Sequence, residues 1–472
     1  MRISRRGVAT LGVLGGSFLA AIEATIVATA MPTVVGQLGG LAHFSWVFSG
    51  YLLTSTVTMP LWGKLSDLYG RRRFYMAAVG LFLLGSALSG AAQSMWQLIL
   101  FRAIQGVGAG GLLPLGMTIL GDLYTLKERA RTQGLFSGVW GIASIVGPLV
   151  GGYVTEALSW RWVFYLNLPF GAVAATLVGI ALREPGATAR PRIDVRGALV
   201  MMAGVAALML ALGQTGERGG VLAAWHVAGL YALAAALVAW FLRIERRSAE
   251  PIVPLDLFAD RLVLAVTLSG FLVGVAMFGA ISFVPLFVQT ALGGTATEAG
   301  HALSPLLLGW VTMSIVTGRV LPRVGYRPMI LGGLTLVTLG FLGLLRVGHA
   351  SSPTSLYVDL GLMGLGMGMT MLSLLLALQN AVPRQRLGVA TSVGQFTRSI
   401  GGAVGVSMMG AIVAASLPVG ASHPPLAMER ALHNAFVFGA VVAVLALIAA
   451  LRVPSGLPTA SAARSPQRAA MD

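Results

Sequence analysis

Gly63-Lys64-Leu65-Ser66-Asp67-Leu68-Tyr69-Gly70-Arg71-Arg72-Arg73 separates two apolar runs. It sets one acid between two glycines and ends in three arginines. About 255 positions later the chain reads Gly318-Arg319-Val320-Leu321-Pro322-Arg323-Val324-Gly325-Tyr326-Arg327, with the same glycine spacing among basic residues. A second correspondence has nearly the same offset: Gly134, Gly147 and Gly151 answer to Gly388, Gly401 and Gly405. One such match means little in a chain with 62 glycines. Two at one offset imply two related halves, and internal repeats with a site between them are how many transporters are built.

The material around these loops is apolar throughout. Of 472 residues, 56% are hydrophobic and 10% charged, where a soluble domain carries about a quarter charged residues. Mean hydropathy is +0.83, which leaves no room for a large soluble domain. The runs recur near the ~20 residues that cross the hydrocarbon core, and such spans must be helical because lipid offers the backbone no partner. The expected spans are 8–30, 43–63, 73–92, 95–121, 132–155, 163–182, 197–213, 222–243, 262–289, 299–318, 328–348, 355–378, 387–415 and 431–451. This is an all-α membrane protein of fourteen transmembrane helices. Arg2, Arg5, Arg6 and the Ala28-Thr29-Ala30 triplet imitate a signal peptide. Glu23 within the run and Pro32 just beyond it argue for a retained first helix.

The repeat assigns residues 1–183 to one six-helix bundle and 255–452 to a second. Residues 184–254 are an inserted helix pair with its linkers, and 453–472 a disordered cytoplasmic tail. Charge tests the count. Alternation over fourteen spans puts 26 of the 32 basic residues on one side. Four fall on the other, Arg161, Arg218, Arg346 and Arg430, and two, Arg102 and Arg398, lie inside spans. The positive-inside rule places both termini in the cytoplasm. The net charge of +16 is therefore a topology signal, with membrane lipid as its partner rather than nucleic acid. Trp46, Trp96, Trp160, Trp162 and Trp225 fall near outer ends, as an aromatic belt does. All six histidines lie at or near outer loops and read as solvated.

Ionisable groups within spans are costly and are functional candidates by default. Glu23, coming from inside, and Arg102, coming from outside, both fall roughly 10 Å below the outer surface at 1.5 Å per residue. Opposite charges at equal depth should pair, either as a structural ion pair or as a proton site. Gln105 lies one turn from Arg102 on the same face and is expected to line the substrate cavity. Thr391, Gln395, Arg398 and Gly402 form a polar stripe at helical spacing, suited to lining a cavity. Asp359 is either a partner for Arg398 or an outer-end residue. The fifth span carries Gly138, Gly141, Gly147, Pro148, Gly151 and Gly152, read as tight packing, a pivot, or both. Asp67 could pair with a neighbouring arginine or cap a helix end, and so hold one conformation. Gly63-Lys64 is followed by Leu65, no phosphate-binding GxxxxGK[ST] loop exists, and no metal cluster or catalytic triad is visible. No cofactor is expected, and energy must come from a gradient.

At this point the residues resemble the major facilitator superfamily, in its fourteen-helix drug:proton antiporter branch, over nearly the whole chain. Gly63 to Arg73, with Gly70, Arg71 and Arg72, is similar to the superfamily's loop motif. Leu98, Arg102, Gln105, Gly106, Gly108, Ala109 and Gly110 are similar to its proton-linked motif. Gly141 to Gly152 is similar to its antiporter motif, which implies export. Trp160 to Gly171 and Gln379 to Gly388 look typical of the branch. The first helix departs from it: Ile22-Glu23-Ala24-Thr25-Ile26-Val27 carries Glu where Asp is usual. The resemblance implies proton-coupled export of lipophilic, often cationic compounds by a monomer, with Glu23 and Arg102 as the coupling pair. A dedicated substrate such as a lipid, a siderophore or a self-made antibiotic is the alternative.

Overall fold

The computed structural model describes residues 5–39, 44–182, 194–214, 221–248, 251–294, 296–348, 351, 353–417 and 425–454. All but the first two residues of the expected tail, and most of the first linker of the inserted pair, lie outside these residues. The described residues hold no strand. The helices are α1 Arg5–Leu38, α2 Phe44–Tyr69, α3 Arg71–Gly90, α4 Met95–Leu123, α5 Leu126–Ala157, α6 Arg161–Tyr165, α7 Asn167–Ala181, α8 Val195–Gln214, α9 Val221–Glu245, α10 Arg261–Thr290, α11 Ala296–Ala302, α12 Ser304–Val324, α13 Tyr326–Leu344, α14 Pro353–Ala381, α15 Leu387–Ser416 and α16 Pro425–Ala450.

Twelve spans are long and apolar enough to cross a membrane among the described residues. α6 with α7, and α11 with α12, each make one. The two remaining segments of the expected fourteen, α2 and α5, are not among these twelve. α2 carries Thr54, Ser55 and Thr58, whose hydroxyls return to backbone carbonyls: Thr54 donates to Ala103 at 2.8 Å, Ser55 to Leu52 at 3.0 Å and Thr58 to Thr54 at 2.8 Å. α5 opens on Lys127, Glu128, Arg129 and Arg131 and is glycine-rich beyond them.

Glycines set the packing, and they do so twice. Gly147 and Gly151 of α5 lie against Ile22, Thr25, Ile26 and Thr29 of α1, where Thr25 also donates to the Ala143 carbonyl at 3.3 Å. Their counterparts Gly401 and Gly405 of α15 press on the carbonyls of Phe271 and Val275 in α10. Gly106, Gly108 and Gly110 seat α4 between α2 and α3. Gly364, Gly366 and Gly368 seat α14 between α12 and α13 in the same way. This third correspondence sharpens the sequence repeat. Gly70 and Gly325, with φ 107° and 92°, form the two tight corners that only glycine tolerates readily.

The halves meet at the end of the bundle that carries the basic loops. Gly63 of α2 abuts Gly388 and Ser392 of α15, with the Gly388 carbonyl 2.6 Å from where a Cβ would stand. Gly318 of α12 abuts the Ala130 backbone of α5, and Gly134 of α5 faces the Ser314 carbonyl. α8 and α9 pack on each other, and α8 also reaches α2 and α15. Trp160 departs from the expected aromatic belt. It is fully buried, and its indole N–H donates to Gln37 at 2.9 Å. The other four belt tryptophans are exposed.

Candidate functional site

Three polar constructions stand out inside the apolar bundle. The first joins α1, α4 and α7. Glu23 and Arg102 form an ion pair and are 0% and 1% exposed. The same guanidinium donates to Gln105 Oε1 at 2.7 Å and to the Val47 carbonyl at 3.4 Å, and it lies 4.2 Å over the Tyr51 ring. The second carboxylate oxygen of Glu23 accepts from Asn167 Nδ2 at 2.6 Å. Asn167 also donates to Ser86 Oγ at 2.9 Å, and Ser86 donates to the Phe164 carbonyl at 2.8 Å. Every oxygen of the carboxylate thus has a donor, the condition under which a buried charge is tolerated. Gln105, expected to line the cavity, belongs to this cluster and is fully buried. Asn167, Ser86 and Tyr51 were not singled out as site residues. Asn167 offers a signal, a lone amide within the apolar stretch 163–182.

The second construction lies where α2 meets α15. Asp67 pairs with Arg71, and its oxygens also accept the amides of Gly388 at 3.0 Å and Val389 at 2.7 Å. Asp67 therefore does both things the sequence left open: it pairs with an arginine and caps a helix. Arg71 also donates to Asp122 of α4 at 3.0 Å, to Ser66 at 3.0 Å and to the Arg384 carbonyl at 3.2 Å. Arg72 is exposed.

Above this clamp runs a layer of amides between the halves. Gln133 of α5 donates to Gln379 of α14 at 3.0 Å and to the Met117 carbonyl at 3.1 Å. Gln379 donates to Thr391 at 3.2 Å. Gln133, Gln379 and Thr391 are all buried. Neither glutamine was a sequence candidate for the site.

The third construction is a cavity between α10, α14 and α15, lined by Thr267, Gly270, Met371, Leu374, Gln395 and Arg398 among others. Thr391 lines it too and stands over the amide layer. Arg398 NH1 reaches Met371 Sδ at 3.4 Å. Asp359 is not in this cavity. It lies in the second turn of α14 against Gly343, with Arg346 as its neighbouring charge. Twelve helical residues, about 18 Å, separate it from Met371. In α5, Gly141 faces Val311 of α12, while Gly138 and Gly152 have open space beside them. The Pro148 side chain lies outside the described residues.

A bundle of long apolar helices with two matched halves, a sealed end and polar clusters in its interior defines a membrane transporter fold. The chain belongs to the Major Facilitator Superfamily, whose family model matches residues 13–406. It is 40% identical over 410 residues to Multidrug transporter protein MdtP of Bacillus subtilis (strain 168), covering 87% of this chain and 76% of that protein. It is 36% identical over 405 residues to Multidrug resistance protein 3 of the same organism, covering 85% and 78%. A fungal relative, Efflux pump FUS6 of Gibberella moniliformis, is 31% identical over 412 residues, covering 84% and 72%. The crystal structure of the human organic anion transporter MFSD10 (TETRAN) superposes with a TM-score of 0.67 over 94% of this chain and 99% of that one. At 15% identity that likeness speaks for the fold alone.

Proposed function

We propose that this protein is a proton-coupled antiporter that exports lipophilic compounds, often cationic, across the cytoplasmic membrane of a bacterium by alternating access. The observation that carries the coupling is the Glu23–Arg102–Asn167 cluster, a carboxylate held by one cation and one amide deep in the bundle. Protonation of Glu23 cancels one charge of the pair. Arg102 is then left with Gln105, the Val47 carbonyl and the Tyr51 face. The balance between the α1–α4 and α1–α7 contacts changes with that proton, which is what coupling requires.

The relatives named for multidrug transport and efflux support the cargo class. In this reading α2 and α5 cross the membrane as well, making fourteen spans. Their 26 and 32 residues exceed the length a ~30 Å core demands. Both termini face the cytoplasm by the positive-inside rule, and the protein works as a monomer. The clamp at Asp67 and the amide layer at Gln133 and Gln379 then form the inner gate, closed here, and the glycines of α5 act as the pivot. Arg398, a cation among apolar residues, favours a second reading, export of a dedicated substrate.

The test is proton-driven dye efflux in inverted vesicles. Efflux should collapse on adding a protonophore, and Glu23→Gln should abolish exchange while the protein still inserts. Gradient-driven efflux that survives unchanged in that variant overturns the assignment.

A further inference from the structure

Arg398 differs from the other intramembrane arginine. Arg102 has a carboxylate, an amide oxygen, a carbonyl and an aromatic face. For Arg398 the recorded partner is a thioether sulfur at 3.4 Å, a weak acceptor. Its Nε is buried without a hydrogen-bond partner, and no carboxylate among the described residues pairs with it. Thr267, on the opposing helix α10, lines the same cavity. Thr267 is 8% exposed, and its Oγ1 also lacks a partner. Gln395 lines the cavity one turn before Arg398 and spends its amide on Met117 Sδ at 3.4 Å.

Two residues from different helices, each with an unsatisfied buried donor, therefore line one cavity. A buried donor left unpaired is costly. The walls beside them are Met371, Leu374 and Leu378, which suit a hydrocarbon body and exclude a second charge. A guanidinium matches a carboxylate in a two-pronged fashion, which adds geometry to charge.

We propose that Arg398 and Thr267 form the anion subsite of the cargo cavity, and that it takes amphipathic compounds carrying a carboxylate, either monoanions or zwitterions. The proposal rests on the export reading and names its substrate class. The cationic cargo of the export reading gains nothing from this subsite and seats away from Arg398.

The experiment uses the full chain in nanodiscs of phosphatidylcholine, with a dansyl-labelled undecanoate and its neutral primary amide as probes. Wild type should bind the carboxylate at least about tenfold more tightly than the amide, one strong charge-assisted contact being sufficient for that ratio. Arg398→Gln should erase the preference, Arg398→Lys should keep part of it, and Thr267→Val should weaken carboxylate binding several-fold without touching the amide. Size-exclusion profiles establish that each variant folds. If Arg398→Gln fails to fold, Arg398→Lys and Thr267→Val decide. Equal binding of carboxylate and amide by wild type overturns the subsite. Displacement of the carboxylate by added phosphatidylglycerol or by chloride alone reassigns the donors to a lipid headgroup or a small ion and overturns the cargo assignment. Efflux of a lipophilic cation dye, measured in parallel, separates the two claims. Intact dye efflux without carboxylate preference sinks only the subsite, whereas no gradient-driven export of either probe sinks the export reading itself.

Discussion

Asp67 accepts the amide of Val389 at 2.7 Å across the boundary between the two halves. With Gly388 it gives α15 the acceptor its first turn otherwise lacks, since Arg386 at the cap position makes no side-chain bond to the helix. At the related seam between α5 and α12 the position corresponding to Asp67 is Pro322. There α5 is capped from within: Thr125 and Glu128 form a capping box, with the Thr125 amide donating to Glu128 at 3.0 Å. One helix end is thus self-sufficient. The other depends on the opposite half of the molecule.

Asp67→Asn should loosen the closed state. Hydrogen bonds to charged groups are worth about 1.5–3 kcal/mol, so the closed population should fall by about one to two orders of magnitude. The chain contains no cysteine, which makes an introduced thiol a clean reporter. Thr391→Cys, in the buried layer behind the clamp, should react with a maleimide applied from the basic end faster in the Asp67→Asn background. Unchanged labelling would remove Asp67 from the gate.

Gly63→Ala should hinder closure by a different route. The added methyl would stand 2.6 Å from the Gly388 carbonyl, and overpacking of this kind costs about 1–3 kcal/mol. The same thiol reporter should register it, with slowed turnover and cargo affinity close to wild type. Wild-type turnover would mean that α2 and α15 need not approach this closely.

Asn167→Leu should destabilise the folded protein by about 1–3 kcal/mol, the cost of stranding a buried acceptor. Glu23 loses the donor to its second oxygen and Ser86 loses its amide partner. Thermal unfolding in detergent measures this, and Asn167→Asp should be worse because it sets two carboxylates together. An unshifted midpoint in Asn167→Leu would show that water replaces the amide without cost.

Glu128 gives a pH-dependent contrast to Asp67. The Thr125 amide and hydroxyl hold its carboxyl below the usual carboxylate value. A lowered folded-state value means the stabilisation is present above the ordinary range near 4.3 and is lost as pH falls below it. The protection of the first-turn amides of α5, measured relative to intrinsic exchange at each pH, should therefore fall on acidification. Glu128→Gln should show the reduced protection already at neutral pH, with Thr391→Cys labelling unaffected. Coupled changes in both readouts would contradict the self-contained cap.

The sequence was most informative where depth and charge acted together. Glu23 and Arg102 are found at one level because helical rise is constant, and their pairing followed from that alone. The Gly63 and Gly318 loops were legible because a tight corner admits few residues. Asp359 stayed open between two readings because distance along α14 decides its neighbours, and an acid near a helix end looks the same from either direction. Asn167, Gln133 and Gln379 were hidden for another reason. A neutral amide in an apolar run carries no charge to trace, and its partners come from helices distant in sequence.

The seams of the gate are backbone laid against backbone: Gly63 on Gly388, Gly318 on Ala130 and Gly134 on Ser314. On the glycine side such joints have no side chain to shorten, lengthen or exchange. On the proposed cargo assignment, what this protein carries is widened or redirected by altering residues away from the seams, on the cavity faces of α10, α14 and α15. Variants selected under pressure from new toxic compounds should accumulate there, while the glycine joints stay silent.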